Sequence, residues 1–192
     1  MAEPVRNGAT PPAGSGPGSA VIDQYRALVA SNPKDQYALH CLLMAFLSQK
    51  AHQEGMRDFQ RLVAADQTNA KARLGLALLY EKSGHDFEAI REYNVAIELN
   101  PNEEIAYGLL TTRYLLKGEY DQALRVCRAG IERFPRAERL HFNLGYAYSL
   151  KQQYDEAIAA FTKEIEINPS CNEAYLNIDI MKRSKGLLRS KS

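Results

Sequence analysis

A chain of 192 residues, 45% of them hydrophobic, can bury a sizeable core, either as one domain or as a string of small units. Its formal charge of +1 supplies no overall field to draw nucleic acid or an acidic membrane. Three cysteines, Cys41, Cys127 and Cys171, are too few and too widely spaced for a disulfide framework or a zinc cluster, and they fit a reducing compartment.

In chain order, MAEPVRNGATPPAGSGPGSA comes first: residues 1–20 are rich in Gly, Pro and Ser and lack the apolar core of a secretory signal, so they read as a disordered tail or linker. Residues 21–31 have the pattern of a lone amphipathic helix, with Tyr25 eight residues before Pro33. The most apolar window, 37–47, contains His40 and is too short to span a bilayer. The expectation is a soluble, cytoplasmic protein.

From there on the chain is periodic. Pro101, Pro135 and Pro169 stand 34 residues apart, and Pro33 stands two such intervals before Pro101. The vacant place in this series, position 67, is Gln67 in the turn-like run Asp66-Gln67-Thr68-Asn69. Side chains keep the same period. Working back from Pro169, Phe161, Ala157, Tyr154, Tyr148, Gly145, Leu144 and His141 are matched one unit earlier by Cys127, Ala123, Tyr120, Tyr114, Thr111, Leu110 and Tyr107. A further unit back stand Tyr93, Ala89, Tyr80, Ala77, Leu76 and Arg73, with Phe87 displaced by one from the place of Tyr154. The first unit offers Phe59, Gly55, Phe46, Leu43, Leu42 and Leu39.

Within each unit, apolar residues recur at three- and four-residue steps over two stretches of about fourteen residues, the mark of two amphipathic helices. The breaks between them fall at Lys117-Gly118-Glu119 and Ser83-Gly84-His85, where glycine provides a left-handed helix end. Small residues such as Gly145, Ala157, Ala123 and Ala89 mark close approaches between helices, and Tyr148, Phe161, Tyr114 and Tyr93 fill the spaces between them. Neither helix of a pair buries its apolar face alone, so each unit must stack on its neighbours.

This pattern resembles the tetratricopeptide repeat, over roughly residues 21–184. The resemblance implies an all-α fold: a right-handed α-α superhelix of helix-turn-helix repeats with terminal capping helices. The organisation read from it is a half repeat at 21–33, repeats at 36–67, 70–101, 104–135 and 138–169, a capping helix at 172–185 with Tyr175 and Ile178 facing inward, and a basic disordered tail at 186–192.

Catalytic chemistry is not signalled. His40, His52, His85 and His141 fall in different units without metal-ligand spacing, and His141 reads as a packed ring with a satisfied nitrogen. Cys127, in the place of a large aromatic, reads as a small buried thiol. There is no phosphate loop, nucleophile elbow or carboxylate pair, and Glu88, Glu156 and Glu164 read as solvated helix surface. The expectation is a protein that is not an enzyme and holds no metal or cofactor.

What remains is a surface. In the tetratricopeptide family, first helices line the concave face of the superhelix and ligand peptides lie along it. Avoiding the core positions, the first helices present Tyr37, His40, Met44 and Leu47; then Lys71, Leu74, Leu78 and Glu81; then Ile105, Gly108, Thr112 and Leu115; then Arg139, Phe142, Tyr146 and Ser149; and last Glu173, Leu176, Ile180 and Arg183. These stripes are apolar in the middle and charged at the ends, which marks an interaction site. Gly108, between Leu74 and Phe142, is expected to leave a pocket for one anchor. The family's chaperone-tail clamp needs Lys, Arg and Asn on adjacent first helices, and here only Lys71, Arg139 and Asn143 are present, scattered. The expected partner is therefore a protein or peptide segment with apolar anchors, and the alternative is a homo-oligomer that uses the same groove. The five basic residues Lys182, Arg183, Lys185, Arg189 and Lys191 read as a frayed helix end that suits its dipole. Their second reading is an electrostatic handle for an anionic membrane or nucleic acid, with affinity falling steeply in salt.

Overall fold

The computed structural model describes residues 17–189, and among them are ten α-helices and no strand. They are α1 (Pro17–Ser31), α2 (Gln36–Ser48), α3 (His52–Ala65), α4 (Ala70–Lys82), α5 (Asp86–Leu99), α6 (Glu104–Leu116), α7 (Tyr120–Arg133), α8 (Leu140–Leu150), α9 (Tyr154–Ile167) and α10 (Asn172–Arg189). Four helix pairs, α2/α3, α4/α5, α6/α7 and α8/α9, follow one another between the single helices α1 and α10. Each helix packs on the next, and the first helices of neighbouring pairs also meet, α2 with α4 and α6 with α8. The architecture is an all-α helical-repeat superhelix.

The helix ends follow from the sequence. Ser31, Leu99, Arg133 and Ile167 close their helices two residues before Pro33, Pro101, Pro135 and Pro169, because the residue preceding a proline is pushed out of the helical region. α3 stops at Ala65, two residues before Gln67, so the period holds where the proline is missing. Asp35 caps α2 by accepting from the N–H groups of Tyr37 and Ala38, at 2.9 and 3.1 Å, and Asn69 caps α4 by accepting from that of Ala72. Gly84 and Gly118 turn the chain between paired helices with φ of 77° and 76°; Lys50 and Gln152 adopt the same left-handed conformation at the matching places.

Two expected boundaries move outward. Helix covers 17–20, within the segment read as a tail, because Pro17 suits the first position of a helix. α10 runs to Arg189, past the expected limit of 185, through residues that include the helix-forming Leu187 and Leu188. The rest of both tails, 1–16 and 190–192, lies outside the described residues.

The core runs along the stack. Phe46, Phe59, Tyr93 and Phe161 are fully buried, each contributing roughly 1.5–3 kcal/mol through transfer from water, and Ala89, Ala123 and Ala157 set the close approaches. Phe87, out of register by one, points to solvent, and Asp86 in the register position receives a hydrogen bond from Arg113. Tyr175 is also exposed, contrary to expectation. The matching residue, Tyr107, is buried against Phe134, which follows the end of its own second helix, and no second helix follows α10 among the described residues. Ile178 does pack inward, against the cluster around Phe161. Ion pairs tie successive units, Arg26 to Glu54 and Asp58, Lys151 to Asp121 and, one period later, Lys185 to Asp155, and Arg73 pairs with the buried Glu92 within one unit.

Candidate functional site

The stripe on the first helices divides into side chains that meet water and side chains that belong to the core. Tyr37 is 74% exposed, Ile105 57% and Leu176 62%; His40, Met44, Tyr146 and Ile180 are exposed as well. Leu74 behaves differently from its sequence reading. It is only 4% exposed and packs with Ala77, Ala89, Ala106 and Leu110, because its flank of α4 faces the small Ala106 on α6. Leu78 is half-buried against the same cluster, Leu47 against the one around Phe46 and Phe59, and Leu115 against that of Ala123, Leu124 and Ala147.

Phe142 is a second correction. Its ring sits edge-on to Phe161 with centroids 5.4 Å apart, so it is chiefly a packing residue. The reason lies one turn on: a Cβ on Gly145 would come within 2.9 Å of Phe161, and the missing side chain lets that ring reach α8. Thr112 and Ser149 turn their hydroxyls back to the carbonyls of Gly108 and Tyr146, and so add little hydrogen-bonding capacity to the face.

The charges on the face are mostly spoken for. Lys71 donates to both oxygens of Glu103 at 3.1 Å, Arg139 pairs with Glu173 and stacks 4.5 Å above Phe142, and Arg183 pairs with Asp179. Glu81 accepts from the Tyr93 hydroxyl at 2.8 Å; burial, together with that carboxylate, pushes the phenol far above its ordinary range. Of the basic C-terminal residues, Arg183 and Lys185 are thus held by Asp179 and Asp155.

Around Gly108 the face opens. A Cβ there would meet nothing within 4 Å, and a cavity of about 430 Å³ lies between α6 and α8, lined by Glu104, Ile105, Leu109, Thr112, Glu138, Leu140 and Asn143. Leu74 and Phe142, expected to flank it, do not line it.

Glu164, read as solvated surface, is fully buried. Its two oxygens accept from the backbone N–H groups of Arg139 and Phe142, both at 3.1 Å. That carboxylate caps α8 from inside the core, and the α8 start is displaced accordingly: Arg139 is left-handed, with φ 73°, and the helix begins at Leu140. The sequence signal was a charged residue in the register of the small Ala96 and Gly130.

No chemistry gathers elsewhere to suggest catalysis. Cys127 is fully buried, its thiol pushed up to about 11 by burial against a weaker opposing contact from Thr111. The His141 ring nitrogen lies 3.3 Å from the Pro135 carbonyl. His52 and His85 share a surface cavity of about 510 Å³, but Lys50 and Arg57 line it too and would repel a metal cation. Among the described residues no group of three or more His, Cys, Asp and Glu is arranged to hold a metal ion, and no helix is long and apolar enough to cross a membrane.

Comparison with known proteins agrees with the architecture. Tetratricopeptide-repeat family models match residues 46–113 and 112–170. Among solved structures, a crystal structure of MamA superposes with a TM-score of 0.69 at 24% identity, covering 81% of this chain and 91% of that one. MamA from Desulfovibrio magneticus gives 0.70 at 18% identity, covering 89% and 87%. YrrB, a TPR protein with an unusual peptide-binding site, gives 0.70 at 16% identity, covering 86% and 85%. At such identities the likeness is one of fold. No curated protein matches the chain.

Proposed function

The chain belongs to the tetratricopeptide-repeat family, and from that premise we propose that it is a non-catalytic scaffold that holds a segment of a partner protein along its first helices. The observation that carries this reading is the set of large apolar side chains left in water on the first helices other than α4: Tyr37 and Met44 on α2, Ile105 on α6, Tyr146 on α8, Leu176 and Ile180 on α10, with Leu78 of α4 half-buried between them. The repeat does not need them for packing, and exposed apolar side chains with a polar rim are what a binding surface requires. YrrB, with the same fold, is a peptide binder, which supports the reading by analogy. The three free cysteines support a reducing, cytoplasmic setting.

Selection from a random peptide library tests the proposal. The wild type should enrich a family of peptides, and an Ile105→Asp, Tyr146→Ala variant should enrich none of them while keeping its circular dichroism and its unfolding midpoint. Equal enrichment by the variant would reject the groove. A second reading, self-association through this face, draws support from α10, which leaves Tyr175, Leu176 and Ile180 exposed together. Sedimentation over a range of concentrations separates the two, since a concentration-independent monomer excludes the second.

A further inference from the structure

The cavity at Gly108 has a charge that the rest of the face lacks. Glu104 and Glu138 occupy the first position of their units, one period apart, and stand on adjoining sides of the opening. Neither has an ion-pair or hydrogen-bond partner among the described residues. The neighbouring charges are committed elsewhere: Glu103 to Lys71, and Arg139, which also lines the cavity, to Glu173. The corresponding residues of the other first helices are Gln36, Ala70 and Asn172, all uncharged, so the acidic pair is confined to this cavity. The floor is apolar, from Ile105, Leu109 and Leu140, with Asn143 and Thr112, whose hydroxyl donates to the Gly108 carbonyl, as the remaining polar groups.

We propose that this cavity takes a lysine or arginine side chain of the partner segment. The aliphatic stem lies on Ile105, Leu109 and Leu140, and the cationic head reaches the rim between Glu104 and Glu138. The volume of about 430 Å³ and the missing side chain at Gly108 leave room for such a chain. This rests on the groove reading above and adds the chemistry of its central contact: a segment with a basic residue beside apolar ones. The sign is opposite to that of a carboxylate clamp, which needs cations on the protein.

The test uses the full chain and the same random peptide library, read as residue enrichment by position. The wild type should enrich Lys or Arg at one position flanked by apolar residues. A Glu104→Gln, Glu138→Gln variant should keep the apolar preference and lose the basic one, and its affinity for a synthetic peptide of the wild-type consensus should fall about tenfold at low salt, with the difference shrinking as salt rises. Gly108→Leu, whose Cβ would meet nothing within 4 Å, puts bulk into the cavity and should abolish that binding in a folded protein. Three results of the selection overturn the proposal: enrichment of apolar peptides with no basic position, which leaves the groove standing; an unchanged basic preference in the Glu104→Gln, Glu138→Gln variant, which moves the cation elsewhere; and no enrichment at all, which removes groove and cation site together. A wild-type dimer dispersed by Gly108→Leu would place a second copy in the cavity and would likewise overturn it.

Discussion

α6 and α8 lie side by side on the same face, and each carries a glycine, but the two glycines do different things. Gly145 of α8 is pressed by Phe161, so a methyl group there has no room. Gly108 of α6 looks onto open space. The helices also start differently. α6 begins in register at Glu104, whereas α8 begins two residues late and is held by Glu164, buried where the preceding unit has Gly130. The joints behind them trade bulk: Gly145 with Phe161 behind α8, Thr111 with Cys127 behind α6. Around α8 the departures from the repeat serve packing; around α6 the departure at Gly108 serves nothing internal, and that separates construction from function.

The largest effect should come from removing the buried cap. Glu164→Ala leaves the N–H groups of Arg139 and Phe142 without acceptors and should cost about 2–4 kcal/mol in chemical denaturation, while Glu164→Gln, which keeps one acceptor, should cost less. Next is the exchange of bulk. Cys127→Phe should destabilise by about 1–3 kcal/mol through overpacking against Thr111, and adding Thr111→Gly should recover part of that loss. Additive losses in that cycle would show that the two joints are not alternative solutions to one packing problem.

These residues mark how far the sequence could be read. Proline and alanine spacing locate the last three helix pairs, and the same period places the first, where Gln67 and Gly55 stand instead, because helix termination and close packing depend on residue type at fixed places. Leu74 was misread as an exposed groove residue because periodicity names a face but not its edges: it is buried in the cluster that includes Ala106, while Phe142 is half-buried, edge-on to Phe161 across the gap at Gly145. Glu164 was misread because a carboxylate on a second helix is ordinarily solvated, and only the folded chain brings two backbone donors to it. The exposed part of the stripe, Tyr37, Met44, Ile105 and Tyr146, was legible since no repeat position asks for those side chains.

A pH dependence of similar size separates the two joints. The Cys127 thiol, raised to about 11 from an ordinary 9.0, stays protonated in the folded chain while the unfolded chain ionises. The unfolded state then holds fewer protons, so stability should decline as pH rises from about 9 to 11, by roughly 2–3 kcal/mol at most. Cys127→Ala should remove that part of the slope, and in the wild type a thiol reagent at neutral pH should label Cys41, which is partly exposed, before Cys127. Smallest and opposite in sign, Gly108→Ala should stabilise the chain by about 0.5–1 kcal/mol, since α6 gains helix propensity and nothing is displaced; Gly145→Ala should not.

The most direct measurement is an amide chemical-shift titration of the wild-type chain with a peptide selected by it. The predicted footprint centres on Ile105, Gly108, Thr112 and Tyr146 and extends along α2 and α10, with the outward surfaces of α3, α5, α7 and α9 unmoved. A footprint on those second helices, with Gly108 and Ile105 unchanged, would contradict the assignment of the binding surface to the first helices.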